Sequence, residues 1–312
     1  MDFTLNILGT ASALPTVNRS PSAQVLDVRG RLFLFDCGEG TQMQMRRMGL
    51  SYQKVEVFCL SHIHGDHMFG IFGLLSTMGM LGRRNKLDIF APRSFGPVLK
   101  FFMSYFGEGI GFPVEHHVLN AGEPELIYDS KTVALYAFPL HHRIESFGFM
   151  AREKEPLRNV YKDCIEKYGL GIAEIAQLKN GEDVFRENGE VIFNKDVTYR
   201  PYDPRSFAYC SDTAPFPELS GWVRGVDLLY HEATFPASMA ETAAATFHST
   251  TVQAAECAAA AGVKKLVVGH YSSRFKDIRP FLDEIKPIFH NSVLASEGDR
   301  IDIPLRKYLD RV

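Results

Sequence analysis

The sequence predicts an α/β fold, and three observations carry that reading. The first 60 residues read as successive strands, strand and helix signals alternate from Leu87 to Met150, and the C-terminal third holds βαβ-like units. The early strands are expected at Thr4–Leu8, Ser22–Val28, Arg31–Asp36 and Val55–Leu60, with turn signals at Arg29-Gly30 and Gly38-Glu39-Gly40 between them. The apolar, Gly- and Met-rich stretch from Met68 to Leu81 is long enough for a helix. Lys264–Val268, a helix around Ile278–Phe289 and Ser292–Ala295 make one βαβ-like unit. The Ala-rich stretch Thr251–Ala261 reads as a helix, opened by a capping-box pattern from Thr250 to Gln253 and closed by Gly262.

The interval from about Arg152 to Tyr202 is different. It is charged, mixed in sign and punctuated by Gly169-Leu170-Gly171, Asn180-Gly181 and Asn188-Gly189. One helix is expected there, Val160 to Tyr168, and one hairpin through Glu187-Asn188-Gly189-Glu190. A segment of this length with little core periodicity reads as an excursion or protruding arm. It is bounded here as 152–203 inside a single domain spanning 1–312, since no solenoid repeat or Pro-, Gly- or Ser-rich linker divides the chain.

Composition narrows the class. The chain is 46% hydrophobic and 23% charged, as ordinary folded proteins are, with a net charge of -3. Nothing in that balance advertises a nucleic-acid partner, so any such contact must be a local patch. The clusters Arg46-Arg47 and Arg83-Arg84 with Lys86 read as solvated faces. No apolar run reaches the length of a membrane span, and the alternating N-terminus lacks a secretory pattern. The five cysteines are scattered without Cys-x-x-Cys spacing, which fits a reducing cytoplasm and neither a disulfide framework nor a zinc ribbon.

The chemistry concentrates in one run. The apolar strand from Val55 ends in Ser61-His62-Ile63-His64-Gly65-Asp66-His67, three histidines and an aspartate within six positions. Buried together without a metal, each would need its own hydrogen-bond partner. Neutral imidazole and carboxylate suit zinc, manganese or iron, and a turn lets His62 and His64 face one metal while Asp66 and His67 face another. Four other apolar runs end in similar residues: His141-His142, Ser211-Asp212-Thr213, His231-Glu232 and His270. Any one alone could be structural; together they suggest one cavity at strand ends. Asp36 to Gln42 has two readings, a Gly-rich turn or a backbone passing close to the site with Asp36 supporting a metal-bound histidine.

The pattern His-x-His-x-Asp-His after an apolar strand resembles the metallo-β-lactamase superfamily. Within it the chain resembles the tRNA 3′-processing endonucleases called ribonuclease Z. The matching stretches include Leu8 to Thr16, Phe35 to Gln42, Ser61 to His67, His142 with Phe147-Gly148, and Ser211-Asp212-Thr213. They continue with His231-Glu232-Ala233-Thr234, His248-Ser249-Thr250-Thr251 and Gly269 to Arg274, in the family's order.

The resemblance implies a four-layer αββα sandwich with an inserted arm, and two Zn2+ per chain, with Mn2+ or another divalent metal as alternatives. His62, His64 and His142 would hold one metal, and Asp66, His67 and His270 the other, with Asp212 bridging. His142 is chosen over His141 because its spacing to Phe147-Gly148 fits the family. Superfamily members with diiron redox chemistry carry Glu where His64 stands, so hydrolysis is expected. Asp66 would also orient or deprotonate the nucleophile, a hydroxide that the metals activate. His248 would act as general acid, and Glu232 would orient it. The implied reaction removes the 3′ trailer of precursor tRNA, cutting 3′ to the discriminator base in a cytoplasmic homodimer without a membrane partner. The family's arm carries a Gly-Pro element, whereas this chain reads Gly169-Leu170-Gly171-Ile172-Ala173-Glu174-Ile175-Ala176 there. The rivals are a small-molecule phosphodiesterase or ester hydrolase of the same superfamily and a metal-free nucleic-acid-binding relative.

Overall fold

The structure is a computed structural model that describes residues 2–307; Met1 and residues 308–312 of the expected domain lie outside the described residues. The chain forms two compact units. The first comprises the chain up to Arg152 with Ser206–Ile303, and the second comprises Glu153–Arg205 with the described residues from Pro304 onward.

The first unit begins with β1 (Phe3–Gly9), the two-residue β2 (Ala11–Ser12), β3 (Ala23–Val28), β4 (Arg31–Phe35), β5 (Val55–Cys59), β6 (Leu87–Ala91) and β7 (Val114–Val118). β8 (Glu125–Asp129), β9 (Val133–Leu140) and β10 (Ser146–Glu153) follow. The second unit interposes β11 (Asn159–Val160), β12 (Val184–Phe185), β13 (Val191–Ile192) and β14 (Thr198–Tyr199). The first unit then resumes with β15 (Ser206–Cys210), β16 (Leu228–Glu232), β17 (Leu266–Gly269), β18 (Tyr271–Ser272), β19 (Ser292–Leu294) and β20 (Arg300–Asp302).

Two seven-stranded sheets result, β20-β1-β3-β4-β5-β6-β7 and β19-β17-β16-β15-β10-β9-β8. Strand alternation assigns each side chain to a layer. On β4, Phe33 and Phe35 join the core between the sheets while Leu32 and Leu34 turn outward. On β15, Phe207 and Tyr209 face inward while Ala208 and Cys210 face outward. Helices Thr41–Arg47, Gly70–Met80 and Phe95–Phe106 cover the outer face of the first sheet through Met45, Leu74, Leu75 and Leu99. Helices Pro217–Trp222, Thr251–Ala261 and Arg279–Ile285 cover the second through Leu219, Ala254, Ala258 and Phe281. The architecture is therefore a four-layer αββα sandwich. Strands β4 to β7 are mutually parallel, as are β15, β16, β17 and β19, so their C-terminal ends gather where loops converge.

The early strands lie within a residue of their expected bounds. The helix expected from Met68 to Leu81 is divided, with a short turn at Gly65–Met68 preceding Gly70–Met80. Thr251–Ala261 forms as read: Thr250 Oγ1 accepts from Gln253 N, Gln253 Oε1 accepts from Thr250 N, and Gly262 is left-handed at φ 61°. Among the described residues no helix is long and apolar enough to cross a membrane.

The second unit holds more regular structure than its composition suggested. β12 and β13 pair around the expected hairpin, and Leu170, Leu178, Val184, Ile192 and Val197 form a small core. Val160 pairs with Thr198 instead of opening a helix, which begins at Lys162. A second helix, Ile172–Lys179, was not anticipated; the Glu174 carboxylate accepts the Gly171 N–H at 2.8 Å and pairs with Arg186 at 2.7 Å. Where the unit's chain enters and leaves, Glu153 and Arg205 form a buried bidentate ion pair at 2.8 and 2.9 Å.

Candidate metal centre

β5 delivers the histidine-rich run to the site. After Cys59 the chain turns through Ser61 to His64 and enters the short helix with Asp66 and His67. The carboxylate of Asp36, just beyond β4, holds this turn. It accepts Ser61 N and Oγ at 2.7 and 2.8 Å, His67 Nδ1 at 2.8 Å and the Tyr209 hydroxyl at 2.7 Å. Accepting from His67 Nδ1 leaves that ring's Nε2 facing the cluster. The backbone here is packed tightly. A Cβ on Gly38 would lie 2.3 Å from Asp66 O, and one on Gly70 would lie 2.1 Å from Gly38 O.

The second sheet contributes one residue per strand end. His142 follows β9, Asp212 follows β15 and His270 follows β17. Asp212 faces both ways. Its Oδ2 lies 3.6 Å from His62 Nε2 and 3.8 Å from His142 Nε2, and its Oδ1 lies 3.4 Å from His67 Nε2 and 3.1 Å from His270 Nε2. Asp66 Oδ2 completes the second group, 3.4 Å from His67 Nε2 and 3.6 Å from His270 Nε2. In the first group His64 Nδ1 lies 3.0 Å from His62 Nε2 and 3.4 Å from His142 Nε2. Two clusters thus form, His62, His64, His142 and Asp212 beside Asp66, His67 and His270.

The donor set fits metal ions. A tetrahedral zinc with bonds of roughly 2.0–2.1 Å spaces its ligand atoms about 3.3 Å apart, close to the nitrogen spacings found here. The ring nitrogens turned away from the cluster are engaged: His62 with Ser61 Oγ, His142 with Phe247 O and His270 with Thr234 Oγ1. Asp212 Oδ1 is buried without a hydrogen-bond partner, although His270 Nε2 is within 3.1 Å. Proximity without hydrogen-bond geometry is what groups converging on a cation show, and an orphaned buried oxygen otherwise costs about 1–3 kcal/mol. Burial pushes His62, His64 and His142 below the usual imidazole range and so favours their neutral, ligating form. Burial opposes ionisation of Asp66, but His67 and His270 hold its carboxyl well below the usual range.

Four residues of this centre carry strained backbone. Ala13, Asp36, Phe247 and His270 have φ between 55° and 62°, the left-handed region that non-glycine residues avoid. Each has a job there: the Ala13 N–H donates to Asp66 Oδ2 at 2.7 Å, and Phe247 O receives His142 Nδ1 at 3.1 Å.

His248 and Glu232 lie beside the clusters. Buried Glu232 accepts from Thr213 N, Ser249 N, Thr234 N and Oγ1 and, at 3.0 Å, from His248 Nδ1. Burial alone would lower His248, but Glu232 and Asp212 raise it to about 9. His248, His64, Asp66, His142, Asp212 and Phe69 line a common cavity of about 520 Å³. Two expected neighbours fall outside it. His141 stacks on Phe216 with ring centroids 4.1 Å apart, and buried His231 turns its Nδ1 to Glu232 O at 2.7 Å. The supporting residues Tyr209, Ser61, Ser211 and Thr234 carry no role in the sequence reading, although Ser61 and Ser211 each immediately precede an expected ligand. A separate carboxylate–histidine group, Asp88, Glu115 and His117, is filled by Lys86 Nζ at 2.9 Å from Asp88 and 3.1 Å from Glu115.

An αββα sandwich with His/Asp clusters at the ends of both sheets defines a protein of the metallo-β-lactamase fold with a site suited to metal ions. A family model described as Beta-lactamase superfamily domain matches residues 197–271, and one described as Anti-Pycsar protein Apyc1 matches residues 3–100. Ribonuclease Z of Parabacteroides distasonis is 40% identical over 302 residues, covering 97% of this chain and 99% of that protein. Ribonuclease Z of Bacteroides thetaiotaomicron is 42% identical over 309 residues, covering 99% and 97%. The crystal structure of human tRNase Z, short form, superposes with a TM-score of 0.70 at 25% identity over 96% of this chain and 99% of that one. The chain belongs to the ribonuclease Z family and is an endoribonuclease of the hydrolase class.

Proposed function

We propose that this chain is a zinc-dependent endoribonuclease that removes the 3′ trailer of precursor tRNA by cutting 3′ to the discriminator base. The observation that carries the reading is Asp212, whose two oxygens each face one His cluster, with His248 in the same cavity. Similarity to proteins named Ribonuclease Z supports the substrate.

In this reading His62, His64 and His142 would hold one zinc and Asp66, His67 and His270 the other, with Asp212 placed between the two groups. Divalent cations held by these residues would supply Lewis acidity, acidifying water and offsetting charge on the phosphoryl oxygens. Asp66, anchored by the Ala13 N–H, orients the attacking water. His248 keeps Nδ1 on Glu232 and presents its other ring nitrogen, as the proton donor, to the departing 3′-oxygen. Glu232 fixes that tautomer and offsets the ring's charge. The products are a 3′-hydroxyl on the tRNA and a 5′-phosphate on the trailer.

The reading includes a cytoplasmic location, which five free cysteines support. It also includes a homodimer, supported by the exposed Phe101, Tyr105 and Phe106 on one helix. Sedimentation at micromolar concentration should give a dimer; a monomer would remove that part. The deciding experiment incubates purified enzyme with a trailer-bearing precursor tRNA and maps the ends. A cut after the discriminator base is expected. Turnover of a small phosphodiester without that cut would favour the small-molecule phosphodiesterase. Metal analysis should give about two zinc per chain, and a metal-free protein that still binds RNA would favour the binding relative.

A further inference from the structure

We infer that Phe69 is a stacking shelf for a nucleobase adjoining the scissile phosphate, and that Gly65 is present so that the shelf can lie flush. The inference rests on the RNA-cleavage reading. Phe69 sits between the short helix carrying Asp66 and His67 and the helix Gly70–Met80. The apolar residues Ile71, Leu74, Leu75 and Met78 that follow it are buried, whereas Phe69 is 61% exposed. Leaving most of a phenyl ring in water forgoes roughly 1–2 kcal/mol of burial. Among the described residues lining the catalytic cavity, it is the sole Phe, Tyr or Trp.

The ring packs on one side against the turn that carries the expected ligands. A Cβ on Gly65 would lie 2.3, 2.6 and 2.8 Å from Phe69 Cε2, Cζ and Cδ2, so the phenyl group rests against the glycine backbone. Gly65 has no positive φ to explain its identity. The ring occupies the space that a side chain at residue 65 would fill. Gly65 lies between the expected ligands His64 and Asp66, so the shelf is fixed within two residues of the reacting centre. An RNA phosphate placed at Asp212 and His248 carries a base on either side, one nucleotide away. Unpaired bases bind proteins chiefly by stacking on aromatic faces, which is tolerant of sequence and worth about 1–3 kcal/mol per base.

The experiment measures KM and kcat on precursor tRNA for wild type and for Phe69→Ala, Phe69→Leu, Phe69→Tyr and Phe69→Trp, with zinc content and sedimentation recorded for each. Stacking predicts that Phe69→Ala and Phe69→Leu raise KM about 5- to 100-fold at retained zinc content, and that Tyr and Trp restore it. Substrates with an abasic nucleotide immediately 5′ or 3′ of the cut identify the partner: on one of them Phe69→Ala should cause no further loss. The shelf is overturned if Phe69→Leu behaves as wild type, if Phe69→Ala leaves KM unchanged, or if its effect is undiminished on both abasic substrates. It is overturned as well if the KM change accompanies loss of self-association, which would make Phe69 an interface residue. Failure of the wild-type enzyme to cut precursor tRNA sinks the tRNA reading and the shelf with it, whereas cutting with a silent Phe69→Ala sinks the shelf alone.

Discussion

The turn from His62 to His67 and the ends of β9, β15 and β17 supply the same cluster by opposite routes. The turn brings four ligand-type residues within six positions, fastened by Asp36 from the neighbouring strand. The second sheet brings His142, Asp212 and His270, up to 128 positions apart (270 − 142 = 128), and aligns them because strands β9, β10, β15, β16 and β17 are neighbours. Each half has its own buried carboxylate hub, Asp36 for the turn and Glu232 for the strand ends. A local motif is specified by chain geometry. A distributed one is specified only by a correctly registered sheet.

If the two halves work only jointly, the residue between them should matter most. Asp212→Ala should reduce single-turnover cleavage about a thousandfold or more and lower the metal content. A variant retaining a tenth of wild-type cleavage would break the joint picture. His248→Ala should cost about a hundred- to thousandfold in kcat while zinc content stays at the wild-type level. Since His248 also lies within ligand reach of Asp212 and His270, loss of a zinc would reassign it as a ligand. Asp36→Asn weakens the hub of the turn, together with its contacts to Tyr209 and Ser211 at the end of β15, and zinc affinity measured by competition with a chelator should fall about 10- to 100-fold. Unchanged affinity would mean that the turn stands without its hub. The smallest effect belongs to Thr250→Ala, which removes a helix cap in the distributed half. Denaturant unfolding should show about 1 kcal/mol of lost stability with zinc content intact.

The two halves also differ in legibility. The turn could be read directly, since ligand-type residues at that density after an apolar strand have few other uses. The strand ends offered His141 beside His142 and His231 beside Glu232, and alternation alone does not say which neighbour points inward. The structure separates them: His141 stacks on Phe216, His231 is turned to a backbone carbonyl, and His142 and Glu232 face the centre. The second unit was least legible. Its helix Ile172–Lys179 buries Leu178 in a small core built from distant residues, and Arg186 reaches back to Glu174, contacts that no periodicity announces.

By itself the sequence determined what depends on neighbours along the chain. That covers the early strands, the capped helix Thr251–Ala261 and the His62–His67 run, because period, capping and ligand density are local properties. Tertiary structure alone decided what depends on distant partners. The two sheets had to pack before Tyr209 could reach Asp36, before Asp212 could face both clusters, and before Ala13 and His270 could be held at positive φ. Such strain persists only where surrounding contacts over-determine the backbone. Those contacts exist only in the folded sandwich.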